Sequence, residues 1–412
     1  MSRENLVAVA RREIENLQAD QIDLAAGVLE VPASSYIDPE RWQREVDLIF
    51  KRLPLALAFS CELKEPGSYK ALQTMDTPVL LTRGADGEVH AFLNSCSHRG
   101  AIVVDEGCGT AKGFRCPYHA WAYDMEGRLL NVFDAKNFGP VDKSVLGLTP
   151  LKVAERAGLI WVVLKPSSDI DIDDFLAGYG PELSDLGFAD GHMVGSQQLV
   201  GPNWKVAYDG YRDLYHIPIL HKNSFGPDSA YQADYYAYGP HVRMVSPRGY
   251  EKLMDKPEGE WMTDELTPGV WTIFPNISIA GGGAGGYMVS MMFPGKSVGE
   301  SITTQNFIQP GNPEDDKPEE IAARMAFLGK VVGEEDYYTG LRIQKSLATG
   351  AKRSVLFGRN EGGGQLFHRW IEKLVSTSDA ELPGLLRNGL EGDRTGRPNL
   401  GHIPVEAAAG GQ

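Results

Sequence analysis

Two short segments, each holding one cysteine and one histidine, constrain the fold of this chain more than any other feature. The first is "CSHRG" at residues 96–100, and the second is "CPYHAW" at residues 116–121. Thiolates are soft ligands and imidazoles are borderline ones, so together they suit a transition metal. The set of four metal ligands is Cys96, His98, Cys116 and His119. A shared site of this kind ties both segments into one domain as neighbouring loops.

Two kinds of metal site suit these four side chains. A structural zinc site would bind all four in a closed tetrahedron. A Rieske [2Fe–2S] cluster would place both cysteines on one iron and both histidines on the other, which raises its potential above that of an all-cysteine cluster. Gly100 and Pro117 suit tight loops that turn backbone N–H groups toward sulfur, and Tyr118 and Trp121 can shield a cluster from water. These neighbours favour the cluster, and zinc stays the alternative.

Length and charge limit the class of protein. The chain has 412 residues and a formal net charge of −15, and this length suggests two domains or one large domain with an insertion. The acidic balance argues against binding to nucleic acid or to an anionic membrane surface. No run is long enough to span a bilayer, and the charged N-terminus lacks a cleavable apolar core. We therefore expect a cytoplasmic protein whose cysteines bind metal rather than form disulfides.

The texture of the chain predicts an α+β protein. Short β-branched and aromatic runs such as "PVLLTR" and "GLIWVVLK" predict a β-rich domain that contains both Cys/His pairs. The second half mixes strands such as "VWTIFPNISIA" with helices. Helices are predicted at about residues 3–30, 38–50, 317–349 and 364–376. The expected divisions are a helical segment at 1–37 that packs on the last domain, the β-rich domain at 38–165, and the last domain at 166–412.

A second group of ligand-type residues lies in the segment "DGYRDLYHIPILH", which begins at Asp209. On a regular helix, Asp209, Asp213 and His216 share one face. His221 lies at the wrong angle, but Pro218 disfavours a continuous helix, and a bend there can bring His221 back toward His216. Two imidazoles and one carboxylate form the facial triad typical of non-haem iron(II) that activates O2. On its own, however, the H-x4-H spacing is a weak signal for metal binding.

The third ligand has to come from another element, and Asp336 is the first choice. It falls on one face of the helix predicted at 317–349. The apolar members of that face are Ile321, Met325, Leu328, Val332, Ile343 and Leu347. A carboxylate on such a face needs a cation or a metal opposite it. Glu335, about 100° away around the helix, is the second choice, and an ordinary ion pair or helix N-terminal acid is the alternative role for Asp336.

Taken in order, these motifs resemble those of one family. "CSHRG", "CPYHAW", "NWK", the pattern D-x-Y-H-x4-H and an acid pair upstream of Gln344 are similar to the large (alpha) subunit of Rieske non-haem iron ring-hydroxylating oxygenases. The resemblance extends from about residue 38 to residue 375. It implies a Rieske [2Fe–2S] domain at 38–165 and a catalytic helix-grip domain, an antiparallel sheet with helices, at 166–412. It also implies a head-to-tail homotrimer, with or without a small beta subunit.

The resemblance assigns roles residue by residue. Each subunit is expected to hold one [2Fe–2S] cluster on the four Cys/His ligands and one Fe(II) on His216, His221 and Asp336. Asp213 matches the acid that bridges the iron ligand His216 to a cluster histidine of a neighbouring subunit, His119. One carboxylate can accept hydrogen bonds from both metal-bound imidazoles, which gives this bridge a physical reason.

The activity that the resemblance implies is that of a terminal oxygenase. A ferredoxin or an NAD(P)H-dependent reductase supplies electrons, and O2 is used to hydroxylate, dihydroxylate or dealkylate a small molecule, in this family most often an aromatic one. The expected pocket residues are Tyr208, Asp209, Tyr211, Trp271, Phe274, Ile277, Met288 and Phe293. Gly210 departs from the asparagine that many members carry, so hydrogen-bond donors near the iron are expected to differ.

Two rival functions follow from the same residues. The first is a Rieske electron-transfer or redox-sensing protein without oxygenase activity, and the second is a zinc-binding scaffold. The strongly acidic chain would repel an acidic ferredoxin, so docking of the electron donor requires a local basic patch. The basic residues near the cluster are Arg99, Lys112 and Arg115.

Overall fold

A computed structural model of the protein describes residues 3–282 and 285–390. Within these ranges the chain forms two compact units. Unit one comprises the described residues of Met1–Ile49, Asp173–Leu186 and Met193–Gln412, and unit two comprises Phe50–Ile172 and Gly187–His192. Both Cys/His pairs therefore belong to unit two, and the group from His216 to Asp336 belongs to unit one.

Strands and helices are numbered along the chain. The strands are β1 (Leu29–Pro32), β2 (Pro54–Phe59), β3 (Ser68–Thr74), β4 (Thr77–Arg83), β5 (Val89–Leu93), β6 (Gly107–Thr110), β7 (Phe114–Arg115), β8 (Ala122–Tyr123), β9 (Leu129–Asn131), β10 (Pro150–Arg156), β11 (Leu159–Val163), β12 (His192–Gly201), β13 (Asp234–Tyr238), β14 (His241–Val245), β15 (Val270–Ile273), β16 (Ile277–Gly281), β17 (Tyr287–Pro294), β18 (Ser301–Gln309) and β19 (Ser354–Phe357). The helices are α1 (Arg3–Ala19), α2 (Ser34–Ile37), α3 (Pro39–Glu45), α4 (Ala135–Phe138), α5 (Ile172–Leu176), α6 (Gly180–Ser184), α7 (Trp204–Gly210), α8 (Ile217–Leu220), α9 (Pro318–Val331), α10 (Tyr338–Leu347), α11 (Gly362–Ser376) and α12 (Leu382–Asn388).

Unit two is built from β-sheets. A seven-stranded sheet has the order β2-β11-β10-β5-β4-β3-β6, and a three-stranded sheet has the order β7-β8-β9. The second Cys/His loop joins the antiparallel pair β7 and β8, whereas the first follows β5. Cys96 and Cys116 are buried in one apolar cluster with Phe114, Trp121 and Leu148. The two ligand loops therefore meet over a shared hydrophobic core.

Unit one is organised around a seven-stranded sheet with the order β12-β18-β17-β16-β15-β14-β13. The neighbouring strands from β13 to β18 pair antiparallel, which fits an α+β fold. Helix α7 packs on β17 and β18, and it also contacts the turn that follows α9. Helix α11 is buried along most of its length. These helices bring the second ligand group against the sheet.

The N-terminal part of the chain differs from its predicted layout. Helix α1 ends at Ala19 rather than near residue 30, because Asp20 adopts a left-handed conformation with φ of 51° and closes the helix. Residues 38–49 belong to unit one rather than to the β-rich domain. A buried ion pair joins this segment to unit one, because Glu45 pairs with Lys205 and also accepts a hydrogen bond from Trp204. The boundary predicted at residue 38 is therefore wrong.

The predicted helix at 317–349 is interrupted. Helix α9 is followed by a wider π-helical turn, Val332–Tyr337, and only then by α10. A π turn contains extra residues, so the helix after it is rotated relative to a regular helix. Of the two residues of α10 that were predicted on the apolar face, Leu347 is buried and Ile343 is 44% exposed. In the described part of the chain, no helix combines the length and the apolar character that crossing a membrane requires.

Candidate metal centres

The two Cys/His loops of unit two have matching backbones. In the first loop, the Cys96 N–H donates to Ala101 O at 2.8 Å and the Gly100 N–H donates to Cys96 O at 2.7 Å. In the second, the Cys116 N–H donates to Trp121 O at 2.8 Å and the N–H of Ala120 donates to Cys116 O at 3.0 Å. Gly100 and Ala120 occupy equivalent positions with positive φ, 73° and 54°. The two loops are thus copies of one ligand-presenting turn.

The sulfur atoms lie in an environment that suits cluster ligands. Cys96 and Cys116 are free thiols that are 3% and 2% exposed. The Tyr123 hydroxyl lies 3.1 Å from Cys96 Sγ and accepts a hydrogen bond from the Ser97 N–H at 3.1 Å. Burial raises the pKa of Tyr123, and the contact with Cys96 adds to this. A hydroxyl that donates to a ligand sulfur tunes the potential of a cluster.

The two histidines of unit two lie side by side, and each has one ring nitrogen that is free to bind metal. Their rings lie 4.7 Å apart, and His98 stacks on Trp121 at 4.9 Å. The Nδ1 atoms of His98 and His119 are both buried, and neither has a hydrogen-bond partner among the described residues. Buried ring nitrogens normally have a partner. Two such nitrogens beside two buried thiols fit a [2Fe–2S] cluster, and the sequence pattern alone could not identify Nδ1 as the free atom.

The surface around these loops carries the basic residues proposed for donor docking. Arg99, Lys112 and Arg115 are all exposed. The Arg99 guanidinium lies 5.8 Å from the ring centroid of Tyr118, which is itself 59% exposed. Trp121 covers His98 as predicted, whereas Tyr118 tilts over His119 from the solvent side. The part of Arg99, Lys112 and Arg115 in docking stays a prediction.

The second ligand group begins where α7 ends. Helix α7 starts at Asn203, whose side chain accepts from the Lys205 N–H, and it stops at Gly210. The predicted shared face of Asp209, Asp213 and His216 therefore does not exist, because the three residues are not on one helix. Instead, α8 is a single turn with His216 immediately before it and His221 immediately after it. Pro218 lies inside this turn, near its start, and the break in the helix falls before it, between Gly210 and Ile217. The short helix brings the centroids of the two imidazole rings to 5.1 Å.

The ring nitrogens of this pair converge on one carboxylate. Asp336 Oδ1 lies 3.2 Å from His221 Nε2 and 3.6 Å from His216 Nε2. One ligand atom from each of the three residues lies within 4.8 Å of the others, a spacing that admits one metal ion bound by all three. His221 is buried, and His216 and Asp336 are half-buried. The three predicted ligand side chains are thus brought together, and three ligands on one side fit a facial triad.

Each of these histidines is also held from behind by its own carboxylate. Asp213 Oδ1 lies 2.9 Å from His216 Nδ1, and Glu335 Oε2 lies 2.6 Å from His221 Nδ1. Ser224 donates a further hydrogen bond to Glu335. Burial opposes ionisation of Glu335, but the bonds from Ser224 and His221 outweigh it and lower its pKa. An acceptor at Nδ1 fixes the tautomer that leaves Nε2 free to bind metal.

The π turn explains how Glu335 and Asp336, which are adjacent in sequence, can both contact the histidines of this site. Glu335 and Asp336 lie within Val332–Tyr337, whose buried ends, Val332 and Tyr337, pack with Ala207. Glu335 was the second choice for a metal ligand, and the structure places it against His221 Nδ1 instead. The role of Ser224 was missed, and a serine three residues after His221 was the only available signal. π turns often mark functional sites, but no sequence pattern predicts this one.

The predicted pocket residues divide between the two faces of the sheet. Tyr211 packs against the cluster containing Tyr337, and Met288 shares a strand face with Ser290. Burial raises the pKa of Tyr211 to about 12; the nearby Ser290 opposes this rise, and the charge of Asp336 adds to it. Trp271 points to the opposite face, where its indole donates to Glu182 at 2.9 Å. It therefore does not line the side that carries the metal ligands.

The remaining pocket predictions need similar corrections. By strand alternation, Ile277 and Phe293 lie on the same face as Trp271, away from the ligands. Tyr208 and Phe274 are core residues around Phe367, with ring centroids 5.1 and 5.8 Å from it. The aromatic or apolar character of these residues did not indicate which face or which core each side chain would join.

Asp209 has a structural role and does not lie at the candidate metal site. Its carboxylate accepts a hydrogen bond from the Tyr36 hydroxyl at 2.7 Å and contacts His368 Nε2 at 3.0 Å. Tyr36 is buried, and burial together with Asp209 raises its pKa. The group joins α2, α7 and α11. Neither Tyr36 nor His368 was singled out from the sequence, because their spacing forms no motif.

Comparison with known proteins agrees with this geometry. The family model for the Rieske [2Fe–2S] domain matches residues 54–143, and the model for the ring hydroxylating alpha subunit (catalytic domain) matches residues 178–377. The chain is 32% identical over 205 residues to the glycine betaine monooxygenase oxygenase subunit of Chromohalobacter salexigens, covering 49% of this chain and 45% of that protein. It is 36% identical over 188 residues to the chlorobenzene dioxygenase subunit alpha of a Cupriavidus strain, covering 44% and 42%. The chain thus spans less than half the length of these two curated relatives.

The fold is also found in solved structures. The apo form of a quaternary ammonium Rieske monooxygenase matches with a TM-score of 0.71 and 20% identity, over 85% of this chain and 96% of that one. Fold and sites together define a protein with a Rieske cluster domain and a mononuclear-metal catalytic domain. The chain belongs to the Rieske non-haem iron ring-hydroxylating oxygenases, as a large (alpha) subunit. These two domains imply a [2Fe–2S] cluster and a mononuclear iron, and the Rieske match sets zinc aside.

Proposed function

We propose that this chain is the terminal oxygenase component of an electron-transfer system. In this proposal Cys96, Cys116, His98 and His119 hold the [2Fe–2S] cluster, and His216, His221 and Asp336 hold the mononuclear iron. The observation that carries it is the convergence of two Nε2 atoms and Asp336 Oδ1, with each Nδ1 bound to a different carboxylate. A protein that only transferred electrons through the cluster would have no need for this second site.

The residues of the second site have separable tasks. Asp213 and Glu335 hold the imidazoles in the tautomer that directs the Nε2 lone pairs toward a common point. Asp336 supplies the third, anionic ligand. When bound there, iron(II) supplies open coordination positions at which O2 is reduced with electrons from the cluster. Tyr211 and Tyr337 close the side nearest the sheet and limit the access of water.

Asp213 is proposed to connect two copies of the chain. Its Oδ1 accepts from both the backbone N–H and the ring of His216. Its Oδ2 accepts no hydrogen bond from any residue within 3–282 or 285–390, and the side chain is 18% exposed. This oxygen can accept from the outward nitrogen of His119 in a neighbouring copy, as the expected homotrimer requires. The electron donor is proposed to be a ferredoxin or an NAD(P)H-dependent reductase.

Two substrate classes compete for this site. Aromatic compounds are the first expectation, and the chlorobenzene dioxygenase subunit is named for one. The relatives named for glycine betaine and for quaternary ammonium compounds point to small polar molecules. The sheet face that carries Gln305, Ser290 and Ser278 is polar and buried, and this favours a polar substrate over a hydrocarbon. Hydroxylation, dihydroxylation and dealkylation all remain within the proposed chemistry.

Metal analysis combined with turnover tests the proposal. The wild-type protein should contain about three irons per chain, two of them in the cluster. His221→Ala should retain the visible spectrum of the cluster, fall to about two irons and lose O2-dependent product formation with a reductase and NADH. Asp213→Ala should keep the visible spectrum of the cluster and lose most turnover.

The opposite results would count against specific parts of the proposal. A His221→Ala variant with three irons and normal turnover would exclude the mononuclear site as assigned. An Asp213→Ala variant within a few-fold of wild-type turnover would remove the bridge between copies but leave the oxygenase assignment intact.

A further inference from the structure

A row of polar side chains crosses the central sheet of unit one at a single register. Thr272 of β15 pairs with Ser278 of β16, Ser278 pairs with Ser290 of β17, and Ser290 pairs with Gln305 of β18. Residues paired in this way project from the same face of a sheet. The exposed fraction of each is 2% or less. A continuous polar row in the buried face of a sheet is unusual, because apolar residues normally occupy such positions.

Three members of this row have polar atoms without partners. The Oγ atoms of Ser278 and Ser290 and the Nε2 atom of Gln305 make no hydrogen bond within the described part of the chain. The same holds for the hydroxyl of Tyr211, which lies beside Ser290 and Gln305. Leaving buried polar groups without partners is destabilising. Several such groups on one face therefore indicate a missing ligand.

The orientation of Gln305 can be fixed from its neighbours. Gln197 donates through Nε2 to the backbone carbonyl of Met325 at 3.0 Å, so its amide nitrogen must face that carbonyl. The same nitrogen donates to Gln305 Oε1 at 2.7 Å. Gln305 must therefore turn its own NH2 group, which has no partner within the described residues, away from Gln197. An NH2 group can only donate, so the ligand must offer an acceptor there.

A cation lies at the other end of the row. Arg212 donates through Nη1 to Thr272 Oγ1 at 3.0 Å and through Nε and Nη2 to the backbone carbonyl of Gly363. It is 2% exposed and packs against the rings of Tyr208 and Phe367, and within the described ranges it forms no ion pair with a carboxylate. Buried charges are normally paired. Amide and hydroxyl donors together with an unpaired cation suit an anionic acceptor.

Both ends of the row are attached to the segments that carry the metal ligands. Arg212 lies four residues before His216, and it contacts the row through Thr272. Tyr337 directly follows Asp336, and it hydrogen-bonds Thr303, which lies two residues before Gln305 on the same strand face. The row therefore faces the candidate metal site. A ligand bound to it lies on the same side of the sheet as His216 and Asp336.

We propose that Ser278, Ser290 and Gln305 bind a carboxylate group of the substrate and so select an organic acid. This inference rests on the proposed oxygenase function, since it assigns the substrate of that site. Gln305 Nε2 and the two serine hydroxyls donate to the carboxylate oxygens, and Arg212 supplies the balancing charge at the end of the row. A hydrocarbon would leave the Gln305 amide and both serine hydroxyls without partners.

Binding to the iron-loaded, oxidised protein tests this selection without turnover. The probes are two pairs that differ in the carboxylate, benzoate with toluene and glycine betaine with choline, measured by calorimetry. We expect one carboxylate to bind at least about tenfold more tightly than its counterpart without a carboxylate, the difference that one hydrogen bond to a charged group makes. Ser290→Ala and Gln305→Leu should each reduce that preference by about five- to tenfold. Thr304→Val, on the opposite face of β18, should not change it.

Thermal unfolding separates binding from a structural role. Ser290→Ala removes a hydroxyl that lacks a partner, so its melting temperature should equal or exceed that of the wild-type protein. A large fall in melting temperature would show that Ser290 supports the fold instead. Equal affinity for both members of each pair, binding of neither carboxylate, or an unchanged preference in Ser290→Ala and Gln305→Leu would overturn the inference. The oxygenase assignment would survive each of these results, because it depends on iron content and O2-dependent turnover.

Discussion

The histidines of the two metal centres offer opposite ring nitrogens. In unit two, the Nδ1 atoms of His98 and His119 are buried without a described partner. In unit one, the Nδ1 atoms of His216 and His221 contact carboxylates, and the Nε2 atoms converge on Asp336. The same side chain is thus prepared for metal in two ways. The atom without a local acceptor is the one left to bind metal in each case.

The difference follows from how each site is built. The cluster loops are two copies of one backbone turn over an apolar core, and that core offers no acceptor to the imidazoles. The second site lies between a one-turn helix, which Asp213 precedes in the chain, and a π turn that contains Glu335. A carboxylate behind an imidazole raises its basicity and fixes its tautomer. The proposed iron site therefore depends on residues outside its three proposed ligands to a greater extent than the proposed cluster site does.

The strongest test of this contrast is the loss of Glu335. Glu335→Ala removes the acceptor at His221 Nδ1 and frees the ring to rotate, so we expect the affinity for the mononuclear iron to fall by about 10–100-fold. Cluster content should not change. Iron affinity is measured by competition with a chelator and cluster content by the visible spectrum. Glu334→Ala is the matched control, because Glu334 lies in the same π turn but its side chain is 69% exposed. Equal iron affinity in Glu335→Ala and Glu334→Ala would show that the carboxylate does not support His221.

On the cluster side, the matching test concerns sulfur rather than imidazole. When Cys96 is a ligand, the Tyr123 hydroxyl is the donor to its sulfur, at 3.1 Å. A hydrogen bond to a charged acceptor contributes about 1.5 kcal/mol, so Tyr123→Phe should lower the one-electron potential by on the order of 60 mV. A redox titration followed by circular dichroism measures this. Tyr118→Phe, which leaves the sulfur contact intact, should shift the potential far less, and similar shifts in both variants would argue against a specific role for Tyr123.

The sequence predicted the proposed cluster ligands more completely than the surroundings of the second site, because the two sites are built differently. All four proposed cluster ligands lie in two compact motifs, because each turn needs only six residues to present its pair. The metal-facing acid of unit one was predicted from its position on an apolar helix face. The carboxylate behind His221 was not, because Glu335 reaches it only through the π turn. Local motifs report local geometry, and contacts over more than a hundred residues leave no such pattern.

The failures in the pocket and the N-terminal segment have a common physical origin. Trp271 and Ile277 were expected beside the metal, but strand register sends them to the opposite face. Residues 38–49 were expected in the β-rich domain, but Glu45 pairs with Lys205 of unit one. Both outcomes depend on which surface a segment meets after folding. Composition predicted the α+β class, and tertiary pairing decided the faces and the boundary.

The smallest predicted effect tests whether the two cluster loops are equivalent. Gly100 and Ala120 occupy the same left-handed position, and a Cβ atom at Gly100 would meet only Ser95 Oγ at an ordinary 3.6 Å. Gly100→Ala should therefore destabilise the protein by about 1 kcal/mol from backbone strain alone. Ala120→Gly relieves the same strain, although the freedom that glycine gains in the unfolded chain offsets part of the benefit. Ala101→Gly measures that offset. In thermal unfolding of the three variants, we expect Ala120→Gly to be more stable than Gly100→Ala. The reverse order would mean that the loops, despite their matching hydrogen bonds, are not equivalent in energy.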